Sequence, residues 1–167
     1  MARQTGNAVL TLFDKRLSTE RIITQAALEN AIVVHAAIGG STNAFLHLPA
    51  IAHELRLKFS LEMVSDINNR VPFIVNVRPS GMHPTSLLWA AGGVPAIMRE
   101  LEDYLHLDAL TVTGKTLGHN LADLEKNGYF DTIPRFLENC AMSKVDLIRP
   151  VSDPLNESGG LAVLWVN

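Results

Sequence analysis

Apolar residues recur at helical spacing through most of the first 70 positions. Ala8, Val9, Leu12 and Phe13 stand at i, i+1, i+4 and i+5, which places one apolar stripe on a first helix. Asp14 to Ser18 interrupt the pattern. A long helix is predicted next, with Thr19 or Thr24 as its N-cap and Ala27, Leu28, Ala31, Ile32, Val34 and Ile38 on its buried face. Glu29 to Ile38 is apolar nearly all round, the signature of a central helix rather than a surface one. Gly39-Gly40 stops it, and Ser41 or Thr42 caps a further helix through Phe45, Leu46, Leu48, Ile51 and Leu55. Pro49 inside that stretch removes one backbone donor and predicts a kink. Ser60 opens another short helix that ends near Arg70.

The period then changes. Phe73 to Val77 is short, β-branched and bounded by Pro72 and Pro79, which predicts a strand. The loop Arg78 to Pro84 follows, then a helix over Ser86 to Ala91 that stops at Gly92-Gly93. Pro95 suits the first turn of a helix running to Leu105. Ala109 to Val112 is a second predicted strand, leading through Thr113-Gly114-Lys115-Thr116 into a helix from Leu117 to Lys126. Periodicity fades from Asn127, where Pro134, Pro150 and Pro154 break the chain. Ser158-Gly159-Gly160 predicts a turn, and Leu161 to Val166 a last strand. The expected fold is α/β, a helix-rich layered domain with a small mixed or parallel sheet, formed by residues 1–167 as one domain. An apolar strand at the terminus, with no polar tail, carries the expectation that the natural chain continues.

Composition narrows the function classes. The 167 residues are 47% hydrophobic and 19% charged, enough apolar side chain for a folded core. Lys and Arg number 14 against 17 Asp and Glu, a formal charge of −3. No three basic residues run together, so neither nucleic acid nor an anionic membrane surface is the expected partner. No apolar run reaches membrane-spanning length and the first seven residues do not resemble a leader, so the expected location is the cytoplasm. One cysteine, Cys140, excludes an internal disulfide and a self-contained cysteine-rich metal site.

Three loops carry candidate chemistry. Gly39-Gly40-Ser41-Thr42-Asn43 offers a permissive backbone and helix N–H groups able to receive an anion, against the simpler reading of a capped turn between helices. Pro79-Ser80-Gly81-Met82-His83-Pro84-Thr85 follows the predicted strand, where ligands of α/β sheets gather. Ser80 and Gly81 supply donors there and His83 a proton carrier, against the simpler reading of a turn held by two prolines. Thr113-Gly114-Lys115-Thr116 resembles the end of a phosphate-binding loop. Ala109 stands where that loop needs its first glycine, so nucleotide binding is not expected. The six histidines (His35, His47, His53, His83, His106, His119) contain no His-Glu-x-x-His, and no metal site is expected from them. Cys140 sits among Glu138, Asn139, Ala141 and Met142, where nothing activates a thiol.

Several motifs in one order carry a resemblance that spans nearly the whole chain. Glu29-Asn30-Ala31-Ile32, Gly39 to Asn43 with Leu46-His47, Ala50-Ile51-Ala52-His53, Pro79-Ser80-Gly81 and Ala91-Gly92-Gly93-Val94-Pro95 form its first half. Thr111 to Leu117, Asn120-Leu121 and Gly159-Gly160-Leu161-Ala162-Val163 complete it. Together they resemble the dihydroxy-acid and sugar-acid dehydratases, a family that includes 6-phosphogluconate dehydratase. The resemblance implies a hydro-lyase that removes water from a 2,3-dihydroxy acid to leave a 2-keto acid. In complete members it implies an iron–sulfur cluster acting as Lewis acid on the departing hydroxyl and a magnesium ion holding the carboxylate. The family's three cluster cysteines, one in a Cys-Asp-Lys motif, and its serine base in Asp-Gly-Arg-x-Ser-Gly have no counterparts here.

The chain is therefore expected to be the later part of the family's N-terminal domain, without the cluster-binding start or the C-terminal domain. It is expected to hold no cofactor and no catalytic residue, and to be inactive alone. His83-Pro84-Thr85 and Val34-His35-Ala36-Ala37 resemble the sugar-acid (aldonate) branch; the alternatives are the dihydroxy-acid dehydratase of branched-chain amino-acid biosynthesis and a non-catalytic interaction module. The resemblance and loop positions together assign Ser41, Thr42, Ser80, Gly81, His83 and Lys115 as expected substrate contacts in the complete enzyme. Apolar surface left uncovered on such a piece is expected to make it self-associate, as its family forms oligomers.

Overall fold

The start of the long central helix follows from one side-chain cap and one bent connection. The computed structural model describes residues 2–164 (side chains at 2, 4 and 136 excepted). Helix α1 spans Ala2–Asp14, α2 is the single turn Thr19–Ile22, and α3 spans Gln25–Ile38. Of the two N-caps expected for the long helix, Thr24 is the one used, and Thr19 opens a separate single turn. Ile23 leaves helical geometry (φ −87°, ψ 85°), and the Thr24 hydroxyl then accepts the Ala27 N–H at 3.3 Å to start α3 afresh. Six apolar side chains of α3 are buried (Leu28, Ile32, Val33, Val34, Ala36 and Ala37), so it is the central helix its all-round apolar pattern requires.

Around α3 the remaining helices are short. α4 spans Ala44–Glu54 and carries Pro49 internally; α5 spans Leu61–Arg70, with the Ser60 hydroxyl accepting the Met63 N–H at 3.1 Å. α6 covers Ser86–Ala90, α7 Gly93–Glu100 and α8 Leu117–Lys126. Beyond them, where periodicity fades, the chain still folds: α9 (Ile133–Leu137) and α10 (Lys144–Leu147) bury Ile133, Leu137, Leu147 and Ile148 against the same core. α5 and α7 pack on α3, burying Val64, Ile67, Ala96 and Ile97 beside it.

The expected sheet does not form among the described residues, which contain only isolated bridges. Phe73–Val77 is extended, but its residues pair with three separate segments: Phe73 with Asn156, Val75 with Ile148, Val77 with His83. The Ile74 and Val75 N–H groups both donate to the Ala37 carbonyl at the end of α3 (3.0 and 3.2 Å), and the Asn76 N–H donates to Leu147 (2.8 Å). The Phe73 to Asn76 N–H groups all find partners, as burial demands, yet no second strand runs alongside. Ala109–Val112 is likewise one side of a tight turn closed by a single Leu110–Thr116 bridge. Leu161–Leu164 has no strand pairing, and the rest of that predicted strand, with Asn167, lies outside the described residues. The fold is helix-rich, threaded by one buried extended segment.

Candidate functional site

Two of the three candidate loops meet at the C-terminal end of α3. Gly39 takes the left-handed conformation there (φ 61°), and the Gly40 N–H donates to the His35 carbonyl (3.1 Å). The His35 ring fills the space a Gly40 side chain would occupy, its Cδ2 2.5 Å from an ideal Cβ. From there its Nε2 lies 2.9 Å from the Ser41 carbonyl, and the ring stands edge-on to Phe45 at 5.3 Å. Ser41 and Thr42 are exposed just beyond, and the Ser41 hydroxyl accepts the Asn43 N–H (3.3 Å). Asn43, not Ser41 or Thr42, is the N-cap position of α4.

The loop after the extended segment reaches this turn from the side. The Ser80 hydroxyl donates to the Gly39 carbonyl at 2.8 Å. Gly81 closes a turn so tight that its Cβ would lie 2.4 Å from the backbone of Asn76 and Val77. The Asn76 side chain holds that turn, accepting the Met82 N–H at 2.9 Å and donating to the Asp146 carbonyl at 3.2 Å. His83 is half-buried, and its charge helps hold the Asp146 carboxyl below its ordinary range, after the hydrogen bonds from Ser143. A third segment joins from the far end of the chain. Gly160 donates its N–H to Ala36 (2.9 Å), and a Cβ on it would meet the Gly39 Cα at 2.5 Å. The buried Asn68 clamps this segment, donating to the Leu161 carbonyl (2.6 Å) and accepting its N–H (3.3 Å).

Ser41, Ser80 and Gly81 thus belong to one junction, with Thr42 and His83 on its flanks. Lys115 belongs to a different structure, the turn between Leu110 and Thr116. Its ammonium is paired with Asp123, whose carboxyl it holds below the ordinary range through their hydrogen bond. Thr111, Thr113 and Asn120 complete a network around that turn (2.7–3.0 Å). His35, Asn68 and Asn76 are the positioning groups that sequence reasoning passed over. For His35 and Asn76 the signal was a polar residue inside an otherwise apolar run; Asn68, among Asp66, Asn69 and Arg70, gave none.

The residues present do not fit an iron–sulfur cluster, which thiolates hold. The single thiol, Cys140, is exposed, and among the described residues no three His, Cys, Asp or Glu side chains stand close enough to share a metal. No helix among the described residues is long and apolar enough to cross a membrane.

The sequence family described as Dihydroxy-acid/6-phosphogluconate dehydratase N-terminal matches residues 1–120. The Dihydroxy-acid dehydratase of Halothermothrix orenii is 41% identical over 169 residues, taking in 100% of this chain and 28% of that protein. The Dihydroxy-acid dehydratase of Caldicellulosiruptor bescii is 38% identical over 169 residues, with the same coverage of each. That of Ignicoccus hospitalis is 40% identical over 165 residues, 98% of this chain and 27% of the relative. The chain spans a little over a quarter of the length of these relatives. Their names favour the dihydroxy-acid branch over the aldonate branch expected from His83-Pro84-Thr85.

Proposed function

The chain belongs to the dihydroxy-acid/6-phosphogluconate dehydratase family, and we propose that it serves as a scaffold portion of a dihydroxy-acid dehydratase, a hydro-lyase acting on a 2,3-dihydroxy acid. The observation that carries this reading is the 41% identity with the Halothermothrix orenii enzyme over 100% of this chain. The junction of Gly39, Ser80 and Gly160 supports a structural part for these residues. It fixes the Ser41–Thr42 and Gly81–His83 segments relative to each other, and their exposed groups line what the complete enzyme presents to substrate. In this reading the cluster, the magnesium ion and the proton-abstracting base are supplied by polypeptide outside these 167 residues. Lys115, tied to the Asp123 carboxylate, keeps its turn in shape rather than meeting a substrate carboxylate.

Replacing the aligned segment of the Halothermothrix orenii enzyme with these 167 residues tests the proposal. The graft should dehydrate a branched 2,3-dihydroxy acid within about tenfold of the parent kcat/KM, a loss of at most about 1.4 kcal/mol in transition-state stabilisation, and leave an aldonate untouched. A graft that turns over the aldonate instead, or neither acid while folding normally, refutes it.

A further inference from the structure

Helix α1 stands clear of the body it belongs to. Of its described side chains Leu12 alone is half-buried and the others are exposed, and nothing lies within 4 Å of the place a Gly6 Cβ would take. Val9, Leu10 and Phe13 nevertheless share one third of its circumference with Gly6, at 57%, 64% and 81% exposure, while Asn7, Thr11 and Asp14 face the other way. A helix of 13 residues that contains Gly6 and Asn7 is marginal in water on its own, so an apolar partner is what stabilises it. Its own chain holds it away from one. A Schellman turn closes α1: the Leu17 N–H donates to the Leu12 carbonyl and the Arg16 N–H to the Phe13 carbonyl (both 2.9 Å), with Arg16 left-handed (φ 51°). Arg21 donates to the Arg16 carbonyl (3.0 Å), and the Lys15 and Leu17 side chains rest against Gly114. The base of the helix is thus fixed while its apolar stripe stays in open space.

The same molecule carries the complementary shape. A groove of about 390 Å³ lies between α3, α4 and the Ala109–Leu117 turn, lined by Leu28, Leu48, Ile51, Met98 and Val112 and by no described residue of α1. Its two polar side chains are already engaged: Asn30 bonds both backbone groups of His106 (2.8 and 3.0 Å), and the Thr111 hydroxyl bonds within its own turn. We propose that two copies of this chain pair about a two-fold axis, each laying the Val9, Leu10 and Phe13 stripe of α1 into the other's groove. Anchors at i, i+3 and i+4 on one helix are the usual way such a groove is filled. Area decides that the exchange is mutual. A 13-residue helix is a cylinder about 20 Å long and 11 Å across, and half of its side, roughly 350 Å², enters a groove of matching area. One seat therefore buries about 700 Å², short of a stable interface, whereas two bury about 1,400 Å², inside the range of roughly 1,200–2,000 Å² that stable pairs need. A two-fold axis also leaves neither helix nor groove unfilled, so the assembly closes at two. The pairing is independent of the reaction proposed above, and neither result bears on the other.

Light scattering after gel filtration of the purified 167-residue chain should show a dimer that dissociates on dilution. Hydrogen exchange in α1 and in residues 109–112 should slow as the dimer forms and quicken as it dissociates. Phe13→Asp spoils the helix and Val112→Asp the groove, both at exposed side chains. Each change strikes both seats, so each should weaken pairing about a hundredfold or more with circular dichroism unchanged. Mixed together, the two variants should pair more tightly than either does alone, because one intact helix then meets one intact groove. Exchange in the unsubstituted chain gives the same answer should a variant unfold. A monomer at the highest attainable concentration overturns the proposal, whether its α1 is unprotected, leaving the stripe to some other polypeptide, or protected, showing the helix folded into its own groove. So does a dimer that only one of the two variants disrupts, which would be helix against helix or groove against groove. Assemblies larger than two, or variants that gain nothing on mixing, overturn it as well.

Discussion

Gly39→Ala is the sharpest test of the junction, because two separable penalties meet at one atom. The backbone there is left-handed (φ 61°), which costs an alanine about 1–2 kcal/mol. The new Cβ would also stand 2.8 Å from the Ser80 Oγ, 2.9 Å from the Ser80 Cβ and 3.2 Å from the Phe73 ring. A hydroxyl can rotate away, but the Ser80 Cβ moves only with its backbone, so overpacking adds about 1–3 kcal/mol. The expected loss is about 2–5 kcal/mol, a large share of a small domain's stability. Ser80→Gly removes both offending atoms and by itself forfeits one hydrogen bond to Gly39, about 1 kcal/mol. In the double variant the steric part is relieved while the conformational part stays. Urea unfolding of the four proteins should therefore show a compensating coupling of about 1–2 kcal/mol, with unchanged denaturant slope. Additivity within about 0.5 kcal/mol would mean that Ser80 and Gly39 are not in contact, and the junction would be refuted.

The carboxyl of Glu29 predicts an acid-side loss of stability. Burial pushes its pKa up, but hydrogen bonds from Gln25 and His106 and the charges of His106 and Arg70 outweigh that, so it is held below its ordinary value of 4.5. A depressed carboxyl stabilises the fold above the unfolded pKa and loses that stabilisation as pH falls through the folded one. Melting temperature should thus decline below about pH 4.5, and Glu29→Gln should flatten the decline; parallel profiles for the two proteins would reject the assignment. Asn68→Ala leaves both backbone groups of Leu161 without their side-chain partner and should cost about 1–3 kcal/mol. Limited proteolysis should then cut near Gly160 faster than in the parent, and equal cutting rates would show that another contact holds the segment.

What sequence could reveal of this fold depended on how locally each feature is determined. Leu117–Lys126, the Thr24 cap and the Ser60 cap were legible because the physics lies within four residues of one another. Phe73–Val77 was legible as extended and buried, but not as a strand without a sheet. That outcome is set by Ala37, Leu147 and Asn156, which are remote in sequence and supply its backbone partners. The region after Asn127 was opaque for a different reason. Helices of four or five residues are shorter than the window in which a 3.6-residue period can be recognised, even though Ile133, Leu137, Leu147 and Ile148 are fully at home in the core.

The candidate site shows the same division, with a consequence for what glycine-rich loops mean. Gly39-Gly40 looks, taken alone, like backbone cleared for an anion, and Gly159-Gly160 like a plain turn. Together they are backbone cleared for other backbone: Gly160 lies against the Gly39 Cα, the His35 ring takes the space beside Gly40, and Asn68 takes the space beside Gly159. Every side chain omitted there is replaced by another part of the same chain. The Ser80 hydroxyl, expected as a substrate contact, reaches the Gly39 carbonyl across that same clearance, and the Lys115 ammonium reaches Asp123. The donors therefore act first on the protein. The Ser80 hydroxyl and the Gly160 N–H hold three segments, from positions near 40, 80 and 160, in one fixed arrangement, with Ser41, Thr42 and His83 beside it. On the function proposed above that is the useful property, since contacts made on both sides of a polypeptide boundary are productive only when each side arrives already shaped.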